Sequence, residues 1–178
     1  MYLYPEHDTD VVVRLDFDGD LTVTYPAHGH GWEVRAQPSG RLVNKADGRE
    51  YSYLFWEGAP RDARWDWATG WCVPGVETAP FLQRRLAELG LTPTKYNEFI
   101  VYWLPQLQAH PYNLVAFQWE PYSKIAPMTI DPAPDSLLRV FLVFKPLVEP
   151  VDIAAPAERP AFVRRGFTVV EWGAAEAK

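Results

Sequence analysis

The stretch Val11-Val12-Val13-Arg14-Leu15-Asp16-Phe17-Asp18-Gly19-Asp20-Leu21-Thr22-Val23-Thr24-Tyr25 carries an Asp-Gly pair between two runs rich in β-branched and alternating residues. Alternation at period two marks a strand with one buried face, and Asp-Gly accepts the backbone angles of a tight turn between twisted strands. The stretch therefore predicts a β-hairpin. Trp32 to Ala36, closed by Pro38-Ser39-Gly40, adds a third strand to an antiparallel meander.

Working outward, Asp47-Gly48 repeats the turn chemistry between Leu42-Val43-Asn44 and the aromatic run Tyr51-Ser52-Tyr53-Leu54-Phe55-Trp56. Both faces of that run carry large apolar side chains, which predicts a central strand covered on both sides. Arg64 to Val73, with Trp65, Trp67 and Trp71, reads as short strands. Leu114 to Trp119, Leu137 to Phe144 and Phe167 to Trp172 read as further strands, the second buried on both faces unless Arg139 marks an edge.

Thr78, Pro80, the stripe Leu82, Leu86 and Leu89, and then Gly90 give a cap, an early proline, an apolar face and a terminal glycine, so a helix is expected here. Thr92-Pro93 opens a second, with Tyr96, Phe99, Ile100 and Trp103 on its apolar face. Pro105 clashes with the carbonyl four residues back, which predicts an end or a kink near Leu104. The expectation is an α+β fold, mainly antiparallel β and sandwich-like, with an αα-hairpin inserted at about 79–104. Pro146, Pro150, Pro156 and Pro160 make the next stretch an extended arm. One β-rich domain over residues 1–173 and a flexible tail over 174–178 complete the organisation.

In 178 residues, 17 Lys and Arg face 23 Asp and Glu, a net charge of −6. Nucleic acid, which is bound through clustered cations, is an unsuitable partner. Much of the excess lies in Glu6, Asp8, Asp10, Asp16, Asp18 and Asp20, read as a solvated acidic rim. A single cysteine, Cys72, excludes an internal disulfide and reads as a small buried hydrophobe. Without an apolar run of about 18 residues, no membrane insertion by this chain is expected. No signal-peptide layout opens the chain, which fits a cytoplasmic protein, or an envelope-associated one whose upstream sequence has been removed.

Five stretches form a recognisable set: Tyr2-Leu3-Tyr4-Pro5-Glu6, Glu50 to Gly58 (EYSYLFWEG), Asn97 to Pro105 (NEFIVYWLP), Pro111 to Leu114 (PYNL) and Gly166 to Gly173 (GFTVVEWG). Together they resemble a family of bacterial proteins of unassigned function, over nearly the whole chain. The resemblance implies no activity or ligand. It implies that family members often carry upstream, envelope-directed sequence. Residues 2 to 4 are expected to form an edge strand paired to the sheet.

Four constellations bear on chemistry. His28-Gly29-His30 places two imidazoles on one face of an extended segment, the pattern of a shared zinc or copper ion, with His7, Asp8, Asp10 and His110 as further donors; the competing reading is a polar turn. Asp16 to Asp20 imitates a calcium loop but lacks its downstream glutamate. Glu57 and Glu120, each after a Trp at the end of an expected strand, with Glu98 as a substitute, offer the two carboxyls of a glycoside hydrolase. Trp32, Trp65, Trp67, Trp119 and Tyr122 are candidate stacking platforms for a carbohydrate or protein ligand, alongside Trp71 and Tyr112. No GxSxG, GxxxxGK[ST] or GxGxxG motif is present. The preferred reading is a non-enzymatic binding module with no cofactor, the alternatives being the two-carboxylate hydrolase and the histidine metal site.

Overall fold

Strand β2 (Thr9–Leu15) buries Val11, Val13 and Leu15 in the alternation its sequence predicts, in a computed structural model that describes residues 1–177. Its neighbours are β4 (Trp32–Ala36) on one side and β10 (Met128–Asp131) on the other, both antiparallel. β5 (Leu42–Asn44) and β6 (Glu50–Tyr51) complete a five-stranded sheet of order β10-β2-β4-β5-β6. The Asp47-Gly48 turn joins β5 to β6 as expected: Gly48 sits at φ +67°, and Asn44 N donates to Arg49 O at 2.9 Å.

The predicted hairpin across Asp18-Gly19 does not form. β3 (Gly19–Tyr25) leaves β2 and pairs instead with β7 (Phe55–Pro60) as a separate two-stranded sheet. Both edges of β2 are already occupied, so β3 has no place beside it. Gly19 serves another purpose, since a Cβ there would run into the Ala59 carbonyl oxygen across the β3–β7 pair.

The aromatic run is likewise split rather than one central strand. Between β6 and β7 lies Leu54, fully buried, whose N–H donates to Met1 O at 2.9 Å and whose carbonyl accepts from the Met1 ammonium at 2.7 Å. Those bonds occupy the backbone at Leu54 and divert the run from one sheet to the other. The expected edge strand at residues 2 to 4 is present: β1 (Tyr2–Tyr4) pairs antiparallel with β12 (Thr168–Glu176), Tyr2 opposite Val170.

The chain forms two compact units, each assembled from three stretches. The first comprises Met1–Arg64, Glu120–Arg139 and Arg164–Glu171; the second comprises Trp65–Trp119, Val140–Val163 and Trp172–Lys178. The first contains the sheets above, the order β1-β12-β11 formed with the leading part of β11 (Ser136–Leu147), and a short helix α3 (Glu120–Ile125). Sequence reading placed Glu120 at a strand end; it instead opens α3, where Pro121 is tolerated because the first turn lacks intrahelical N–H partners.

The second unit holds β8 (Trp71–Pro74) and β9 (Tyr112–Phe117) beside the trailing part of β11, together with helices α1 (Thr78–Glu88) and α2 (Pro93–Leu107), which contact each other. Only Trp71–Pro74 of the expected short strands at 64–73 is regular. The fold is therefore α+β, mainly antiparallel, with a helix pair. α2 passes through Pro105 to Leu107, beyond the expected end near Leu104. The proline removes a bond to the Val101 carbonyl in the final turn, and Val101 is 77% exposed, so water can serve that oxygen.

Thr78 begins α1 and is not its capping residue. Gly90 ends it at φ +96°, with Leu91 N donating to Leu86 O. The last strand continues to Glu176, and Ala177 N donates to Phe144 O at 2.8 Å, where a loose tail was expected; residue 178 lies outside the described residues. No helix among the described residues is long and apolar enough to cross a membrane.

Candidate functional site

In the first unit, the β3–β7 ribbon and the loop before it present tyrosine rings outward. Tyr25 ends β3 with 61% of its surface exposed, and its ring meets Tyr51 edge-on at 5.1 Å. Tyr53, 40% exposed, meets Tyr2 edge-on at 5.4 Å. Tyr2 and Tyr51 lie in strands, so each exposed ring is braced by one on fixed backbone. Tyr51 Oη donates to Asp47 Oδ2 at 2.7 Å. That bond holds the Asp47 carboxyl below its usual range and pushes the Tyr51 phenol above its own. The result is an aromatic surface with a carboxylate beside it.

A polar cluster lies beneath the surface of the same unit. Arg139 on β11 and Glu171 on β12 form an ion pair, Nε to Oε2 at 2.6 Å, with Glu171 3% exposed at its side chain. Trp56 Nε1 donates to Glu171 Oε1 at 3.0 Å, and Arg139 Nη1 donates to Ala126 O at 2.9 Å. The guanidinium lies 4.5 Å from the Tyr122 ring centroid, and Trp56 lies parallel to that ring. Burial opposes the Arg139 charge most, but Glu171 and Tyr122 together outweigh it and hold the group protonated above the ordinary arginine range. Burial, with Glu171 adding to it, pushes the Tyr122 phenol far up, so it stays neutral. Arg139 marks an ionic contact inside the sheet, and not an edge.

Several candidate residues of this unit fall elsewhere than ligand recognition requires. Trp32 is 1% exposed and its Nε1 donates to Pro26 O at 2.8 Å, so it is a core side chain; Tyr122 is buried too. Neither ring is open to solvent. Glu57 is exposed on β7 and Glu120 on α3. Glu120 accepts from Lys124 at 2.8 Å, which lowers its pKa, the reverse of what a general acid needs. Among the described residues, no three His, Cys, Asp or Glu side chains are placed to hold a metal ion, so His28 and His30 lack a third ligand. In the calcium-like loop, Asp18 pairs with Arg61 at 3.3 Å.

His28 is half-buried with its ring 4.5 Å from Trp32, and His30 is exposed. Burial lowers the His28 pKa below the ordinary 6.5, aided by the nearby His30 and opposed by the Gly29 backbone. The proton therefore binds more tightly when the chain is unfolded. Its contribution to stability is complete above pH 6.5 and is lost as pH falls toward the lowered folded value. His28→Asn is expected to flatten the decline in melting temperature between about pH 7 and about pH 5; a slope identical to that of the wild type would exclude His28 as its source.

In the second unit, Gln118 fixes the loop that carries Trp65 and Trp67. Its buried amide mimics a strand neighbour, accepting from Asp66 N at 2.9 Å and donating to Asp66 O at 2.7 Å. Trp65 leans on Phe141 at 5.6 Å, and Trp67 is half-buried. Trp119 stacks on Phe117, and the Arg159 guanidinium lies 4.4 Å from its centroid. Glu98 accepts from Lys95 on α2 at 3.0 Å. Cys72 is half-buried, and its Sγ accepts from Val151 N at 3.4 Å.

No family model and no solved structure matches the chain. A protein of Butyrivibrio fibrisolvens, described as an uncharacterized protein in the bglA 3′ region, is 39% identical over 61 residues, which is 33% of this chain and 62% of that relative. The chain thus covers less than two thirds of the relative it matches.

Sequence reasoning picked out tryptophans and missed the tyrosines that face solvent. The available signal was positional: Leu54, between Tyr53 and Phe55, is the residue that points inward, which leaves Tyr53 outside. For the buried cluster, the signal was Arg139 and Glu171 each standing inside an apolar run, residues 137–144 and 169–173, the pattern of a paired internal charge.

Proposed function

We propose that this protein is a non-enzymatic binding module and that its ligand, a carbohydrate, stacks on Tyr25 and Tyr53 of the first unit. The observation that carries the reading is the exposure of Tyr25, a large ring left 61% open to solvent while braced by Tyr51. A sugar ring laid on such an open, braced face gains apolar contact at little entropic cost. Asp47 and the tyrosine hydroxyls supply the polar contacts that orient hydroxyl-bearing ligands. The binding reading is also favoured by Glu120, whose lowered pKa suits a surface ion pair more than acid catalysis.

Affinity electrophoresis through gels containing a panel of soluble polysaccharides tests it. The wild-type protein is expected to be retarded by at least one glycan, and Tyr25→Ala with Tyr53→Ala to weaken that binding about tenfold or more, since each stacked ring contributes about 0.5–1.5 kcal/mol beyond its buried area. Equal retardation of wild type and double variant, or none with any glycan, overturns the assignment. Circular dichroism of the variant excludes misfolding as the cause.

A further inference from the structure

The β3–β7 ribbon has two faces of opposite character. Trp56 and Gly58 on β7 face inward, Trp56 bonding to Glu171 and Gly58 lying against the Phe17 ring, which a Cβ there would strike. Alternation along β7 therefore sends Phe55, Glu57 and Ala59 the other way. Their partners on β3 are Tyr25, Val23 and Asp20, and the register shift between Leu21 and Val23 is what brings Asp20 onto the face of the other two. All of these but the half-buried Phe55 are exposed.

Charge on the ribbon has one sign. Asp20 and Glu57 are the charged side chains of the two strands, and neither strand contains a Lys or Arg. Glu57, opposite Val23, is the diagonal neighbour of Tyr25, within reach of an aromatic ring. Tyr25 also meets Tyr51, whose hydroxyl donates to the Asp47 carboxylate. That hydrogen bond dominates the lowering of the Asp47 pKa, and the Arg49 charge contributes least to it.

We propose that the tyrosine surface selects glycans carrying free, protonated amines, so that its ligand is a linear chain of amino sugars not acetylated on nitrogen. The inference rests on the carbohydrate reading above and adds the charge of the ligand. A sugar laid on the Tyr25 ring places its substituents beside the carboxylates of Asp47 and Glu57. An ammonium there gains a charge-assisted hydrogen bond and attraction to the ring face. An N-acetyl group at the same carbon keeps the stacking and loses both, and a uronic acid is repelled. The chain's net charge of −6 adds a field of the same sign.

Isothermal titration calorimetry at about pH 6, where the amines are protonated and the carboxylates ionised, compares a glucosamine tetrasaccharide with its fully N-acetylated counterpart. The free-amine chain is expected to bind the wild type about tenfold or more tightly. Asp47→Asn with Glu57→Gln keeps the rings and an acceptor for Tyr51, and is expected to abolish that preference. Glu149→Gln with Asp152→Asn changes the net charge equally, at exposed residues of the second unit, and is expected to leave it intact. Equal binding of the two tetrasaccharides, or an equal loss of preference in both double variants, overturns the proposal. Binding of neutral glycans through Tyr25 and Tyr53 without the preference removes the amine selectivity alone, whereas absence of binding to every glycan removes the carbohydrate reading with it.

Discussion

Glu171→Ala is expected to lower the free energy of unfolding by about 3–5 kcal/mol. The substitution leaves the Arg139 guanidinium buried opposite nothing charged, and it strips the Trp56 indole N–H of its acceptor. The loss reflects that stranded charge, not the net value of the pair, because forming the pair already required both ions to leave water. Two further variants separate these contributions. Glu171→Gln keeps an acceptor for Trp56 and should cost less than Ala. Arg139→Met with Glu171→Leu removes both charges and should recover most of the loss. Urea denaturation measures all three; a loss below about 1 kcal/mol for Glu171→Ala would mean that water reaches the guanidinium and that the cluster is not internal.

Trp32→Ala is expected to cost a similar amount, about 3–5 kcal/mol, by opening a cavity under the β10-β2-β4-β5-β6 sheet. Trp32→Phe retains much of the ring but abandons the Pro26 carbonyl, for a cost of about 1–1.5 kcal/mol. The pair of variants distinguishes the two roles open to this residue. A core side chain loses stability on both substitutions. A ligand platform would keep its melting temperature and lose binding, and that outcome would return Trp32 to the surface.

The helix pair was legible because its signals are local: a stripe at helical spacing, Gly90 to stop one helix and Pro93 to start the next. The strands were legible as strands for the same reason, through alternation and turn residues. Their partners were not. Whether Asp18-Gly19 closes a hairpin depends on whether β2 has a free edge, and that edge is taken by β10, far downstream in the chain. The break at Leu54 depends on Met1, and the local rule at Pro105 gave way in the last turn of α2, where Val101 is an exposed residue.

The candidate site shows the same division. An abundance of aromatic residues could be counted, but which of them face outward follows from sheet membership. Trp32 and Tyr122 went inward, while Tyr25 and Tyr53 stayed out. Arg139 was noticed as an oddity in an apolar strand, and only its neighbour on β12 explains it.

Each of the two units draws on an early stretch of the chain and on part of its final strand, Arg164–Glu171 for one and Trp172–Lys178 for the other. On the ribosome, neither can finish as an independent N-terminal body in the way tandem domains do. Each must wait for strand β12 before its aromatic faces close, so both depend on contacts between residues far apart in sequence, a topology expected to fold slowly.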